Sequence, residues 1–361
     1  MQLIEIEPGL SDEDFQDRIL PDVSRTFALT IPQLPPALRT AVTSAYLLCR
    51  IADTIEDEPA ISPAESFALL KRFAATITGA EAPGPLAAEV VARLSDSTLP
   101  AERLLVHEMQ RVIRVVNGFD ERQRAALRRC IEVMCNGMHH FQQTASLRGL
   151  ATLKEMDSYC YYVAGIVGET LTELFCGYSS VIAERHSALY SLSRSFGEGL
   201  QLTNILKDVW EDRSRGACWL PQDVFSRYGI DLGQLSPGRR DAKFHEAIVE
   251  LIGVAHRHLR NALEFTLLIP RAEAGIRRFC LWAIGLAVLT LRKIQQHPGY
   301  RSGADVKVSR STVAMTTFLT NLTLRSNWLL TRLFEQAARG LPLVPTGSPA
   351  TAWVHSEGGA R

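Results

Sequence analysis

Two runs of carboxylates in this chain share one spacing: Asp53-Thr-Ile-Glu56-Asp57 and Asp208-Val-Trp-Glu211-Asp212 both read D-x-x-E-D. Side chains at i, i+3 and i+4 are neighbours on a helix, so each run predicts three carboxylates on one face. Packed that closely they repel, and out of water each charge carries a desolvation cost of several kcal/mol. A hard divalent cation removes both costs, and Mg²⁺ prefers oxygen ligands shared with a substrate's phosphates. Two such clusters on separate helices look like the halves of a diphosphate–metal clamp. The plainer reading of either one is a solvated acidic helix end.

A diphosphate also needs cations. Ser24-Arg25-Thr26-Phe27 precedes the first acidic helix, and Arg50 lies one turn before Asp53. Lys207 abuts Asp208, with Arg213 and Arg215 following. The planar fork of arginine donates two hydrogen bonds to phosphate oxygens at once; any one of these cations could otherwise be a surface salt bridge.

The flanks decide how each motif is presented. The first ends a helix that starts near Pro35-Pro36. Val42, Tyr46 and Cys49 share the side of Asp53, while Leu47, Leu48, Ile51 and Ile55 cover the other. A helix apolar all round is buried, so its carboxylates are expected to point into the protein. In the second, Gly197, Gln201, Asn204, Asp208, Glu211 and Asp212 fall within an arc of about 100°, and Leu202, Ile205, Leu206 and Val209 face away. One side packs and the other binds.

Apolar spacing is helical almost everywhere, over 36–58, 64–78, 85–94, 100–116, 120–146, 153–178, 183–212, 241–265, 271–297 and 311–338. The expected architecture is all-α, a helical bundle around a central apolar cavity. Residues 1–340 form a single catalytic domain and 341–361, rich in Pro, Gly and Ser, a mobile tail. The 361 residues are 46% apolar and 22% charged with zero net charge, which suits a soluble core and gives no reason to expect nucleic acid. The N-terminus lacks the pattern of a signal peptide, and the apolar run Phe279–Leu291 is too short to span a bilayer. Seven dispersed cysteines without C-x-x-C read as reduced thiols of a cytoplasmic protein. No Glu-x-x-His, P-loop, G-x-S-x-G or complete Rossmann fingerprint appears, so a di-iron bundle, a P-loop or Rossmann nucleotide site and a nucleophile elbow are not supported.

Four segments carry a resemblance: Ser24–Phe27 (SRTF), Tyr46–Asp57 (YLLCRIADTIED), Tyr159–Gly168 (YCYYVAGIVG) and Gln201–Asp212 (QLTNILKDVWED). Together they resemble the squalene/phytoene synthases, the head-to-head prenyl synthases, over nearly the whole chain. The resemblance implies an isoprenoid synthase-type fold and a cluster of three Mg²⁺ ions. It implies coupling of two allylic prenyl diphosphates through a cyclopropylcarbinyl diphosphate. Carried onto this sequence, Asp53, Glu56, Asp57, Asp208, Glu211 and Asp212, with Asn204, hold metal. Ser24, Arg25, Phe27, Arg50, Gln201, Lys207 and Arg215 meet the diphosphates. Tyr159 matches the tyrosine implicated in proton removal during ring closure; without the resemblance it would read as a core tyrosine.

Other segments lean toward the squalene-forming members. Pro221–Tyr228 (PQDVFSRY), Phe279-Cys280 and Val306–Arg310 (VKVSR) resemble their pocket-closing and NADPH-holding segments, with Lys307 and Arg310 as the cofactor-binding candidates. There are departures. Ala217 replaces a common arginine, Ser309 a basic residue and Ala283 a proline. The implied reaction joins two farnesyl diphosphates through presqualene diphosphate and reduces the product with NADPH. A phytoene or dehydrosqualene synthase, which omits the hydride, and an inactive prenyl-lipid-binding relative are the alternatives. An insoluble C30 product also implies peripheral membrane contact.

Overall fold

The computed structural model describes residues 9–24, 26–236 and 242–344, and among these it is helical, with no strand and one isolated bridge between Leu150 and Pro221. The chain divides into two compact units, one comprising Met1–Gln143 with Thr170–Glu184, the other Thr144–Glu169 with Arg185–Arg361.

In the first unit the helix Pro36–Glu56 is central, packed by Asp12–Val23, Pro63–Ile77, Pro100–His107, Met109–Asn117 and Glu121–Gln142. Leu38, Leu47, Leu48, Ile51 and Ile55 are all but inaccessible, each contributing about 1.5–3 kcal/mol of apolar burial. Helix starts are set locally. Ser62 and Glu65 form a reciprocal capping box, as do Asp120 and Gln123.

In the second unit His186–Lys207 packs against Ala242–Leu268, Ala274–Gln296 and a π-helical turn, Tyr161–Gly165. The approach to this turn is close enough to require glycine. A Cβ on Gly197 would lie 1.9 Å from Ala164 O, and one on Gly168 equally near Ser193 O. The small residues of 164–168 therefore serve helix packing.

Several expected boundaries move. The 100–116 segment breaks at Glu108, 120–146 ends at Gln142, and 311–338 divides into Arg310–Thr323 and Asn327–Ala337. The 183–212 segment breaks at Asp208, whose φ −101° and ψ 17° leave the helical region while i→i−4 bonds continue on both sides. Aspartate is a weak helix former, so the break falls on the motif itself. Asp12–Val23, Phe27–Thr30 and Gln222–Arg227 are helices that apolar spacing did not reveal.

Ala274–Gln296 is long and apolar enough to cross a membrane by length and composition, with a best-window mean hydropathy of 1.5, yet 61% of that window is buried in the protein. It is wider than the Phe279–Leu291 run on which the expectation rested. The start of the expected mobile tail is held in place. His256 Nδ1 lies 2.7 Å from Pro342 O, and the Arg257 guanidinium donates to Val344 O. Residues 345–361 lie outside the described residues.

Candidate active site

The first acidic motif closes the helix Pro36–Glu56, with Asp57 as its C-cap. Asp53 has about a third of its side chain exposed (35%). Its carboxyl is nevertheless pushed up to about 6, chiefly by burial, which Arg50 opposes and Asp57 and Glu102 reinforce. Glu56 is half-buried and Asp57 exposed. Asp53 and Glu56 thus keep partial access to solvent and Asp57 is exposed, while Leu47, Leu48, Ile51 and Ile55 on the opposite face are enclosed.

Arg50 is positioned by aromatic neighbours. Its Nη2 donates to Tyr46 Oη at 3.1 Å, Tyr46 in turn donates to Val23 O at 2.9 Å, and Phe27 packs on the Tyr46 ring at 5.2 Å. Ser24 Oγ accepts from Phe27 N at 3.0 Å. The SRTF segment therefore orients Arg50 through Tyr46; Arg25 lies outside the described residues. Arg50 Nη1 stands 3.8 Å from both Asp53 and Glu102, beyond hydrogen-bond range, and its buried Nε has no acceptor. Such a guanidinium keeps donors for an oxyanion. Glu102 gave no sequence signal, because it reaches Arg50 from another helix. Cys49, Cys130 and Cys135 lie close by; the first two thiols interact, and burial and the Asp53 charge add to holding Cys49 and Cys135 protonated.

In the second motif Lys207 Nζ lies 3.0 Å from Asp208 Oδ2 and donates to Asn204 Oδ1 at 3.3 Å. Burial raises the Asp208 carboxyl above its ordinary range, against the pull of Lys207. Arg215 donates to Asp212 Oδ1 at 2.6 Å. Glu211 Oε1 accepts from Gly303 N at 2.8 Å, while Glu211 Oε2 is buried with no hydrogen-bond partner. Asn204 is exposed and Gln201 half-buried on the same helix.

A segment the motifs did not announce lies over this cluster. Tyr300 donates its hydroxyl to Leu206 O, Trp210 Nε1 donates to Tyr300 O at 2.8 Å, and the Gly303 amide is the donor to Glu211 Oε1. Exposed Lys307 follows, and Ser309 caps the helix beginning at Arg310, its Oγ accepting from Thr312 N at 3.2 Å. Tyr159 is buried and stacks face to face on Trp219, with ring centroids 4.2 Å apart.

A third group escaped sequence reasoning. Ligand atoms of Asp157, Glu198 and His258 all lie within 4.8 Å of one another. Burial pushes Glu198 up to about 7, against Arg194, and pushes His258 down to about 4. Arg194 sits 3.5 Å from Glu198 and over the Tyr161 ring, and Ser195 bridges His258 and Asn261. These contacts make the group a buried polar network.

The helical architecture and two carboxylate clusters define an isoprenoid synthase-type fold. The family model for squalene/phytoene synthase matches residues 20–312, and the chain belongs to that family. It is 30% identical to a squalene synthase of Eremothecium gossypii over 281 residues, 76% of this chain and 60% of that protein. It is 28% identical to one of Candida albicans over 319 residues, 85% and 68% respectively. The chain thus spans only about 60–68% of the length of these curated relatives. Among solved structures, TcSQS with a bound ligand superposes with a TM-score of 0.71 at 22% identity, covering 91% of this chain and 98% of that one. A dehydrosqualene synthase gives 0.65 at 22% identity, covering 87% and 97%. At that identity the likeness speaks for the fold.

Proposed function

We propose that the protein is a squalene synthase, joining two farnesyl diphosphates head to head through presqualene diphosphate and reducing the product with NADPH. The observation that carries the reading is Arg50, a guanidinium with an unanswered buried Nε one turn from Asp53, on the segment that matches the family.

Asp53, Glu56 and Asp57 would hold Mg²⁺ at the first motif, and Asp208, Glu211 and Asp212 with Asn204 at the second, for three ions in all. The donor set fits, being hard oxygens with one buried carboxylate oxygen of Glu211 unsatisfied. When bound, Mg²⁺ supplies Lewis-acid stabilisation of the departing diphosphate.

The chain's own groups do the rest. Arg50, Lys207 and Arg215, with Arg25, take phosphate oxygens, and Gln201 adds a neutral partner. Ser24 and Phe27 hold Arg50 in register through Tyr46. Tyr159, stacked on Trp219, offers an aromatic wall that keeps water from the allylic cation. A phenol of ordinary pKa near 10 is a weak base alone, so Tyr159 passes the ring-closure proton to the departing diphosphate. Lys307, exposed in the irregular segment after Gly303, and Arg310, exposed at the start of the next helix, suit the phosphates of NADPH.

One observation favours coupling without hydride transfer, as in a dehydrosqualene synthase: the position where squalene-type members carry a base is Ser309, engaged as a helix cap. Incubation with Mg²⁺ and farnesyl diphosphate, with and without NADPH, followed by mass spectrometry of extracted lipids, separates the two. Squalene that appears only with NADPH, and is lost in Lys307→Ala/Arg310→Ala, upholds the first. Dehydrosqualene indifferent to NADPH establishes the second. No coupled product from C15 or C20 diphosphates sinks both.

A further inference from the structure

The helix Arg310–Thr323 is built inside out. Its solvent-facing stripe, at i, i+3 and i+7, is Met315, Phe318 and Leu322, exposed by 56%, 58% and 67%. Three of its threonines lie on the inner side. Thr316, Thr320 and Thr323 turn their hydroxyls back to the carbonyls of Thr312, Thr316 and Leu319, at 2.8, 2.8 and 2.9 Å, and Thr320 is buried. A surface helix ordinarily buries its apolar stripe and shows water its polar one. The apolar face continues into the next helix with Trp328 and Leu329, exposed by 67% and 40%. Of the ten most exposed large apolar side chains among the described residues, five fall in Met315–Leu329, so this is a patch and not scatter.

Charge says what covers it. From Val306 to Phe334 the chain carries Lys307, Arg310, Arg325 and Arg332 and no aspartate or glutamate. Asp305 and Glu335 bound this run, and Glu335 lies 3.3 Å from Arg332 Nη1 as an exposed pair, so residues 305–335 keep a net charge of +2 in a protein whose total is zero. All four cations are exposed, and the Arg332 guanidinium lies 5.8 Å from the Trp328 ring. A second copy docked face to face would set these charges against themselves. Exposed apolar side chains rimmed by cations, with a tryptophan at the edge, match an anionic lipid surface instead: apolar groups enter the acyl boundary and cations meet headgroups.

We propose that this face docks peripherally on an anionic lipid bilayer, with Met315, Phe318, Leu322 and Trp328 inserted and Arg325 and Arg332 at the headgroups. The inference stands on the surface alone. It also deepens the catalytic reading, because Met315 and Leu319 line an apolar cleft of about 270 Å³ with Leu281, Ile284, Val288 and Phe334. An apolar chain in that cleft lies beside the docked face.

The test is flotation of the full chain with vesicles of phosphatidylcholine alone or with about one third phosphatidylglycerol, in the absence of substrate. Expected is binding at least about tenfold stronger to the anionic vesicles, weakened as salt rises from about 0.1 to 0.5 M. Phe318→Ser/Leu322→Ser and, separately, Arg325→Glu/Arg332→Glu should each cut binding about tenfold, with circular dichroism and melting temperature unchanged. Absence of binding to either vesicle, or binding that both folded variants retain, overturns the proposal. So does sedimentation showing a dimer that Phe318→Ser/Leu322→Ser dissolves, which would make the face a protein interface. Because no substrate is present, failure of the catalytic reading leaves this result untouched.

Discussion

Gly303 donates its amide to Glu211 Oε1 at 2.8 Å, and a Cβ at Gly303 would stand 2.6 Å from Asp208 Oδ1. With Tyr300 bonded to Leu206 O and to Trp210, the segment leading to Lys307 is tied to the second acidic cluster. Loop and carboxylates are therefore one assembly, and displacing the loop displaces the ligands.

Gly303→Val forces Asp208 or the loop to move. Expected is a fall of about 10- to 100-fold in Mg²⁺-dependent turnover with a raised Mg²⁺ half-saturation and little change in melting temperature. An unchanged Mg²⁺ dependence would show the loop contact to be incidental. Turnover assays over a Mg²⁺ series settle it.

Asp53→Asn and Asp208→Asn should each cost at least about 100-fold in coupling rate. Stability should hold or rise at neutral pH, since each removes an ionised carboxylate that burial disfavours. Retained turnover in either variant would remove that motif from the chemistry. Single-turnover product formation is the measurement.

Protons and Mg²⁺ compete at Asp53. Its folded carboxyl sits at about 6 against an ordinary 3.8, so the folded protein binds a proton there that the unfolded chain has lost. Metal-free stability from this group falls as pH rises from about 3.8 to about 6. Metal needs the ionised form, so the Mg²⁺ half-saturation should climb as pH drops below about 6 and be flat between pH 7 and 8. Asp53→Asn should make that climb shallower, the remainder belonging to Asp208, whose carboxyl burial also raises.

Glu198 and His258 offset one another. Between about pH 4.5 and 6.5 the folded pair keeps its proton on Glu198 (about 7), while the unfolded chain keeps one on His258 (6.5). Their combined effect on stability across that window is therefore small. Glu198→Gln leaves only the depressed His258, about 4 when folded. Stability should then fall as pH drops from 6.5 toward 4, by on the order of 3 kcal/mol more than in the parent protein. Urea unfolding at pH 4.5, 5.5 and 7 reads this directly, and parallel curves for the two proteins would refute it.

Much of this was legible in the residues. Apolar periodicity located most helices, and D-x-x-E-D spacing with nearby arginines marked both acidic clusters, because these are consequences of short-range helical geometry. The break at Asp208 and the exposure of Asp57 were not legible, since a period of 3.6 assumes a helix that continues and a face that is enclosed. Glu102 beside Arg50, Trp219 under Tyr159 and Gly303 against Asp208 lie on other elements, and no local pattern encodes them. The inverted helix Arg310–Thr323 makes the same point in reverse. Its apolar stripe reads as a core face from sequence, and only the packing reveals that Met315, Phe318 and Leu322 face outward. Helical class, carboxylate spacing and family can be read from the residues; which faces are buried and which distant side chains meet needs the folded chain, because burial and long-range contact arise from the packing of all elements together and no local stretch of residues encodes them.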